Sequence, residues 1–258
     1  MIKEESRYVS SSVFEGIVSV RALIENMSSF RQGNSENDRQ IHKILCDKER
    51  AKTKEFSWLA HRADEFRFKL EICEREEIDD LSVGNTHGGL VAVCGERNIP
   101  ALTSEKIKHN GFYVMLEGIE DPYNFGYAIR SLYAAGVDGI ILGERNWMTA
   151  SGVVCRASAG ASELLPLYIS YENCVSIMKT CRYRVVCADL RDSVSLFDAD
   201  LKKPIFLIIG GEKRGISRGI LEQADLRVKI DYGREFSASL SAASAATVAG
   251  YEIFRQNR

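Results

Sequence analysis

The sequence has almost no net charge: 34 Lys and Arg face 36 Asp and Glu, a balance of −2. That excludes bulk electrostatic attraction to nucleic acid, although a local basic face survives such averaging. No apolar run approaches the roughly 20 residues that a membrane-spanning helix needs. Residues 1–6, Met-Ile-Lys-Glu-Glu-Ser, carry acids where a secretory leader requires bases ahead of an apolar core. A soluble, cytoplasmic protein without membrane partners is expected. The seven cysteines include no Cys-x-x-Cys pair and have no histidine at metal-ligand spacing, so no metal site is expected. Most of them sit in apolar runs such as Val-Ala-Val-Cys94 and Val-Val-Cys187. Their odd number suits buried thiols of a reduced compartment better than a disulfide framework. There is no internal repeat and no low-complexity tract.

What remains is an alternation of apolar runs and helical patterns. The first part reads as a helix over 14–27, a polar and flexible loop over 28–38, and a strand over 41–46. A helix over 53–67, a strand over 69–73, a short helix over 75–81 and a strand over 89–94 complete an α/β/α unit. Residues 31–70 carry 10 Lys and Arg against 7 Asp and Glu, with Lys48, Arg50, Lys52 and Lys54 closely spaced. A solvated helical face explains that run; an RNA-binding face is the functional alternative. Around Pro100 the chain becomes polar, as a linker does.

The second part opens on a strand over 112–116 and a helix beginning at Asp121-Pro122, an acidic cap followed by a first-turn proline. Further strands are expected over 139–142, 167–170, 184–190, 205–210 and 226–230, and a small-residue helix over 239–256. The runs Val185-Val-Cys-Ala and Ile205-Phe-Leu-Ile-Ile are apolar throughout, as in a parallel sheet covered on both faces. The fold class is therefore α/β, in two domains.

Three clusters follow strands of this second part, where open α/β sheets place their ligands. Glu120-Asp-Pro-Tyr-Asn-Phe-Gly-Tyr-Ala-Ile-Arg sets Asn124 and Arg130 on one helix; alone, it reads equally well as a helix cap and a surface arginine. Gly210-Gly-Glu-Lys-Arg-Gly-Ile-Ser has the glycine and serine spacing of a phosphate-binding loop, but Ile216 stands where the phosphate lysine is required. A nucleoside-triphosphate site is thereby disfavoured, while the glycine pair still permits close approach to a ligand and puts Glu212 in the same crevice. Ser237-Ala-Ser-Leu-Ser opens the last helix, where free N–H groups and hydroxyls can meet a polar ligand. His87, His109 and Trp58 read as turn, surface and packing residues; Trp147 does too, although it could stack a base.

The order and spacing of these clusters, with Arg156-Ala-Ser-Ala-Gly-Ala between them, resemble the SpoU/TrmH family of SPOUT RNA methyltransferases over about residues 114–255. Residues 14–97 resemble the ribosomal-protein-L30e-like RNA-binding domain that precedes such enzymes, Gly84-Asn-Thr-His-Gly-Gly being similar to its closing turn. The resemblance implies an L30e-like domain over 1–97, a linker over 98–110 and a SPOUT domain over 111–258 with a parallel sheet. It also implies a deep trefoil knot threaded from about Gly210 onward, a homodimer, and S-adenosylmethionine as cofactor. The cofactor positions would be Ala188, Gly210, Gly211, Ile230, Ser239 and Leu240, and the catalytic ones Asn124, Arg130, Glu212 and Ser239. The implied reaction is methylation of a ribose 2′-hydroxyl in a structured rRNA or tRNA; base methylation, or an RNA-binding assembly protein without turnover, are the alternatives. Two positions depart from the family pattern: Ser241 replaces a common asparagine, and Asp231 a common proline.

Overall fold

The computed structural model describes residues 12–84, 86–143, 150–170 and 174–258; residues 1–6, Asn85 of the closing turn and Trp147 lie outside the described residues. The chain forms two compact units. The first begins with β1 (Val13–Glu15), α1 (Gly16–Arg31), β2 (Ile41–Asp47), α2 (Lys54–Phe66), β3 (Lys69–Cys73), α3 (Arg75–Leu81) and β4 (Leu90–Cys94). Its sheet has the order β1-β4-β2-β3, with only β2 and β3 parallel.

Local chemistry sets the boundaries. Residues 13–15, of which 14 and 15 were expected within the first helix, instead pair with β4, and all three are buried. Gly16, at φ +81°, turns the chain from strand into helix, a conformation that β-branched and aromatic neighbours resist. Helix α2 starts where Thr53 Oγ1 accepts from Phe56 N at 3.1 Å and buries Leu59, Ala63 and Phe66, one stripe at helical spacing. The stretch 28–38, expected as a flexible loop, is helical to Arg31 and pinned at its end. Asn26 Nδ2 donates to Asn37 O at 3.0 Å, and Asn37 itself is buried. Its polarity marks an internal hydrogen-bond network rather than freedom.

After the first unit the chain runs through β5 (Phe112–Glu117), α4 (Pro122–Ala134), β6 (Gly139–Leu142), α5 (Ser151–Ala157), α6 (Ala161–Leu164), β7 (Leu167–Ile169), α7 (Cys174–Thr180) and β8 (Arg184–Ala188). It ends with β9 (Val194–Ser195), β10 (Ile205–Gly210), α8 (Arg218–Leu221), β11 (Leu226–Lys229) and α9 (Ala242–Asn257). Helices α5 and α6 group with the first unit, and the other elements form the second. Arg156 of α5 pairs with Glu15 at 2.6 Å, and Glu163 of α6 is buried against Arg39 at 2.9 Å. Residues 99–110 belong to the second unit, where Leu102 is buried and its N–H donates to Ile169 O at 2.8 Å.

The second sheet has seven strands in the order β7-β6-β5-β10-β8-β11-β9, and every neighbouring pair is parallel. Strand β10 lies at its centre with Ile205 to Ile209 buried on both faces, which is why its sequence shows no alternation. Because β5, β8, β10 and β11 run the same way, their carboxyl ends deliver Glu117, Ala188, Gly210 and Lys229 to one edge. Helix α9 begins at Ala242, later than expected, because Ser241 holds ψ 152° and caps the helix: its Oγ accepts from Ser244 N at 3.2 Å. All seven cysteines are free. Burial raises the Cys46 and Cys174 thiols to about 11, and Cys155 and Cys187 to about 12.

Candidate active site

At the carboxyl edge of the second sheet the backbone closes on itself around glycines. A β-carbon on Gly211 would lie 2.3 Å from Gly118 O, and one on Gly210 would lie 2.3 Å from the backbone of Gly215. These glycines are therefore required by the meeting of two loops, independently of any ligand. Gly211 N donates to Glu117 O at 2.6 Å, Gly215 N to Gly211 O at 2.9 Å, and Ser217 N to the Glu117 carboxylate at 3.1 Å. Lys213 adds an ion pair to Glu120 at 2.7 Å. Ile216, which occupies the place of a phosphate lysine, is buried in the core. The loop is thus folded onto β5 and exposes Glu212 at its tip.

Helix α4 starts with Asp121 as its cap, accepting from Tyr123 N at 3.1 Å and Asn124 N at 3.3 Å. That places Asn124 in the first turn, with Nδ2 donating to Glu212 Oε1 at 3.2 Å. The same oxygen accepts from Ala242 N, the first residue of α9, also at 3.2 Å. One carboxylate therefore joins the N-termini of two helices, where its charge is favoured by both dipoles. An ionised carboxylate only accepts, so Asn124 must turn its amide nitrogen toward Glu212 and keep its carbonyl oxygen for another donor.

Beside this pair opens a cavity of about 710 Å³, walled by the ends of β8, β10 and β11, the loop after β10 and the residues before α9. Ala188, Gly210, Gly211, Ile230, Ser239 and Leu240, the six expected cofactor positions, all line it, as does Glu212. Ile230 and Leu240 give apolar wall, the glycines and Ala188 leave backbone as surface, and Asp189, Arg191, Arg214 and Lys229 put both signs of charge at the rim. Size, apolar wall and a few polar groups suit a nucleoside-sized ligand, and the mixed charge suits one that carries both a cation and a carboxylate. S-adenosylmethionine fits that description.

Arg130 is not part of this lining. It lies on the exposed side of α4 with no hydrogen-bond or ion-pair partner among the described residues, six residues from Asn124 and so on a different helical face. Within one chain the site therefore assembles Asn124, Glu212 and Ser239 and leaves Arg130 apart. Of the basic run, Lys48 pairs with Glu74 at 2.5 Å and Arg50 with Glu55, whereas Lys52 and Lys54 are exposed without partners among the described residues. His87 is buried in its turn, Nε2 lying 2.8 Å from Asp79 Oδ1 and Nδ1 accepting from Gly89 N at 3.1 Å. His109 is exposed, and Trp58 packs between Arg21 and Arg62. No group of metal-ligating side chains occurs among the described residues. Tyr232 and Glu117 were not legible as site residues in the sequence. Glu117 is a lone side chain at a strand end and Tyr232 one in the loop after β11, and only the folded loops give each a partner.

The family model for the SpoU rRNA methylase family matches residues 111–251, and that for RNA 2′-O ribose methyltransferase substrate binding matches residues 34–100. The chain belongs to the SpoU rRNA methylase family. It is an RNA methyltransferase by that membership, with S-adenosylmethionine as its methyl donor. Among curated relatives it is 28% identical to the 23S rRNA (guanosine-2′-O-)-methyltransferase RlmB of Shewanella oneidensis, over 78% of this chain and 83% of that protein. It is 25% identical to the putative TrmH family tRNA/rRNA methyltransferase YacO of Bacillus subtilis, over 93% and 95%. Its fold matches the AdoMet-bound rRNA methyltransferase of Sinorhizobium meliloti at a TM-score of 0.75 and 21% identity, covering 95% of this chain and 88% of that one. It also matches the SpoU methyltransferase AviRb of Streptomyces viridochromogenes at 0.74 and 23%, covering 95% and 89%.

Proposed function

We propose that this chain methylates the 2′-hydroxyl of a ribose in a structured rRNA or tRNA, as a cytoplasmic homodimer. The observation that carries this reading is the single cavity that gathers all six expected cofactor positions next to the Asn124–Glu212 pair. S-adenosylmethionine, when bound, supplies a methyl group already activated by its sulfonium. The chain's task is then alignment and removal of one proton. Ile230, Leu240 and the glycine backbone hold the donor, and Glu212 orients Asn124 so that its carbonyl oxygen can accept from the acceptor ribose. A guanidinium offers donors and no acceptor, so the part of Arg130 is to hold an adjacent phosphate and to stabilise the oxygen's developing charge, the proton leaving to water or phosphate.

The position of Arg130 supports the dimer. On α4 it shares an exposed face with Tyr123 and Tyr127, and α9 beside it exposes Tyr251 and Phe254, whose rings meet at 6.3 Å. An aromatic surface of this kind is suited to a second copy, from which an arginine could serve a cavity that its own chain leaves without one. The first unit would grip RNA by shape and phosphate contacts, with Lys52 and Lys54 available for the latter. Within the second, the chain from Gly210 onward would thread the trefoil knot; β10 lying between β5 and β8 while β11 returns beside β8 supports that path.

The test is transfer of radiolabelled methyl from S-adenosylmethionine to total RNA of a strain lacking the gene, followed by nucleoside analysis. Label is expected in an alkali-resistant, ribose-methylated nucleotide. Arg130→Ala should lower the rate by about 10²–10³-fold, the scale of losing one transition-state donor, with little change in cofactor affinity. Label on a base would replace the ribose assignment. No label from folded, dimeric protein would favour an RNA-binding assembly role.

A further inference from the structure

The wall of the cavity formed by residues 230–240 is unusual in how little holds it. These 11 residues connect β11 to the cap of α9 and supply Ile230, Tyr232, Ser239 and Leu240 to the lining. Across the whole stretch one hydrogen bond is formed among the described residues, from Leu240 N to the Tyr232 hydroxyl at 3.1 Å. The tyrosine ring also meets Phe236 edge-on at 5.9 Å, and Phe236 is itself largely exposed. A segment with so few internal bonds samples many conformations unless something closes it, and closing a loop is entropically costly. Here the closure is made by a side chain reaching from one end of the loop to the backbone of the other.

We infer that Tyr232 is a positioning residue for the methyl-donor pocket: its hydroxyl fixes the Leu240 backbone and so preorganises the apolar wall against which S-adenosylmethionine binds. This rests on the proposed function, since the ligand is the one that reading assigns. Three observations combine. The bond joins two residues that both line the cavity, it is the sole hydrogen bond of its loop among the described residues, and Leu240 lies directly before the Ser241 cap of α9. Fixing Leu240 therefore also fixes the approach to the helix whose first N–H, at Ala242, reaches Glu212. A preformed wall raises affinity by removing the ordering cost from the binding step.

The variant that isolates the hydroxyl is Tyr232→Phe, which keeps the ring and its contact with Phe236. Two readouts are needed. Amide hydrogen exchange at Leu240 in unliganded protein should accelerate about tenfold, the scale of losing one hydrogen bond. Calorimetric titration with S-adenosylmethionine should show affinity falling about five- to tenfold, while kcat at saturating donor stays within about twofold. A merely structural role would lower thermal stability and kcat together and leave no such split. Unchanged exchange at Leu240, or unchanged affinity in a variant whose parent binds, would overturn the inference. Failure of the parent protein itself to bind S-adenosylmethionine would instead overturn the methyltransferase reading, and exchange at Leu240 would still report whether the tie exists.

Discussion

Each unit contains a glutamate that ties distant segments together, and the two are satisfied in opposite ways. Glu163 is 2% exposed and held by charge: Arg39 Nε lies 2.9 Å and Asn37 Nδ2 3.0 Å from the same carboxylate oxygen. Burial alone would raise its pKa, yet the Arg39 and Arg97 guanidinium groups more than offset that and hold the carboxyl below its ordinary value. Glu212 is exposed, has no ion-pair partner among the described residues, and accepts from an amide and a backbone N–H, both at 3.2 Å. A carboxylate buried against a guanidinium has no lone pair that a ligand can reach. One held at the surface by neutral donors does. The difference separates a carboxylate that maintains a fold from one available to a reaction, although both are glutamates in α/β units.

The largest loss is expected at Glu163. Glu163→Gln preserves shape and leaves Arg39 and Arg97 without their counter-charge, so urea unfolding should show a loss of about 3–5 kcal/mol, as when one partner of a buried pair is removed. The sign with pH follows from the lowered pKa. Glu163 contributes stability at pH above the unfolded carboxyl value, and that contribution disappears as pH falls through the lower folded value. Wild type should therefore lose stability toward about pH 4 and below more steeply than Glu163→Gln. Equal slopes would show that the charge of Glu163 is not what holds these segments.

At Glu212 the same kind of change should spare the fold and strike the reaction. Glu212→Ala removes the acceptor of half-buried Asn124 and of Ala242 N, whose residue lines the open cavity; water entering there replaces the lost acceptor, so stability should change by less than about 1 kcal/mol. Methyl transfer should fall by about 10–100-fold, since Asn124 is no longer oriented. Glu212→Gln retains an acceptor for both donors and should recover much of that loss; if it does not, the charge at the two helix ends matters more than the hydrogen bonds.

The sequence exposes one of these glutamates and hides the other. Glu212 could be read because it follows a buried strand and a glycine pair, and parallel sheets present ligands at that edge. Strands β3, β6 and β10 were legible to the residue, β6 and β10 because apolar runs translate directly into buried strands. Glu163 gave no such signal. Its meaning depends on Asn37 and Arg39, more than 120 residues earlier, and no local pattern encodes a contact of that range. Arg130 was legible as important through the family resemblance, but its separation from the cavity was not. Spacing says which side chains share a helix; only the packed helix shows which of them face the same space.

The smallest effect concerns Ser241, where the family pattern has asparagine. Its hydroxyl caps α9 by accepting from Ser244 N at 3.2 Å, and asparagine and serine are nearly equal at that position. Ser241→Asn should therefore leave stability within a few tenths of a kcal/mol, whereas Ser241→Ala should cost about 1 kcal/mol in thermal or urea unfolding. On this reading the departure preserves what the helix needs, and methyl transfer by Ser241→Asn should match wild type within about twofold. A large gain in Ser241→Asn with unchanged stability would mean that the carboxamide had a second task that a hydroxyl cannot perform. It would place the natural chain nearer to an RNA-binding protein with weak turnover than to a full catalyst.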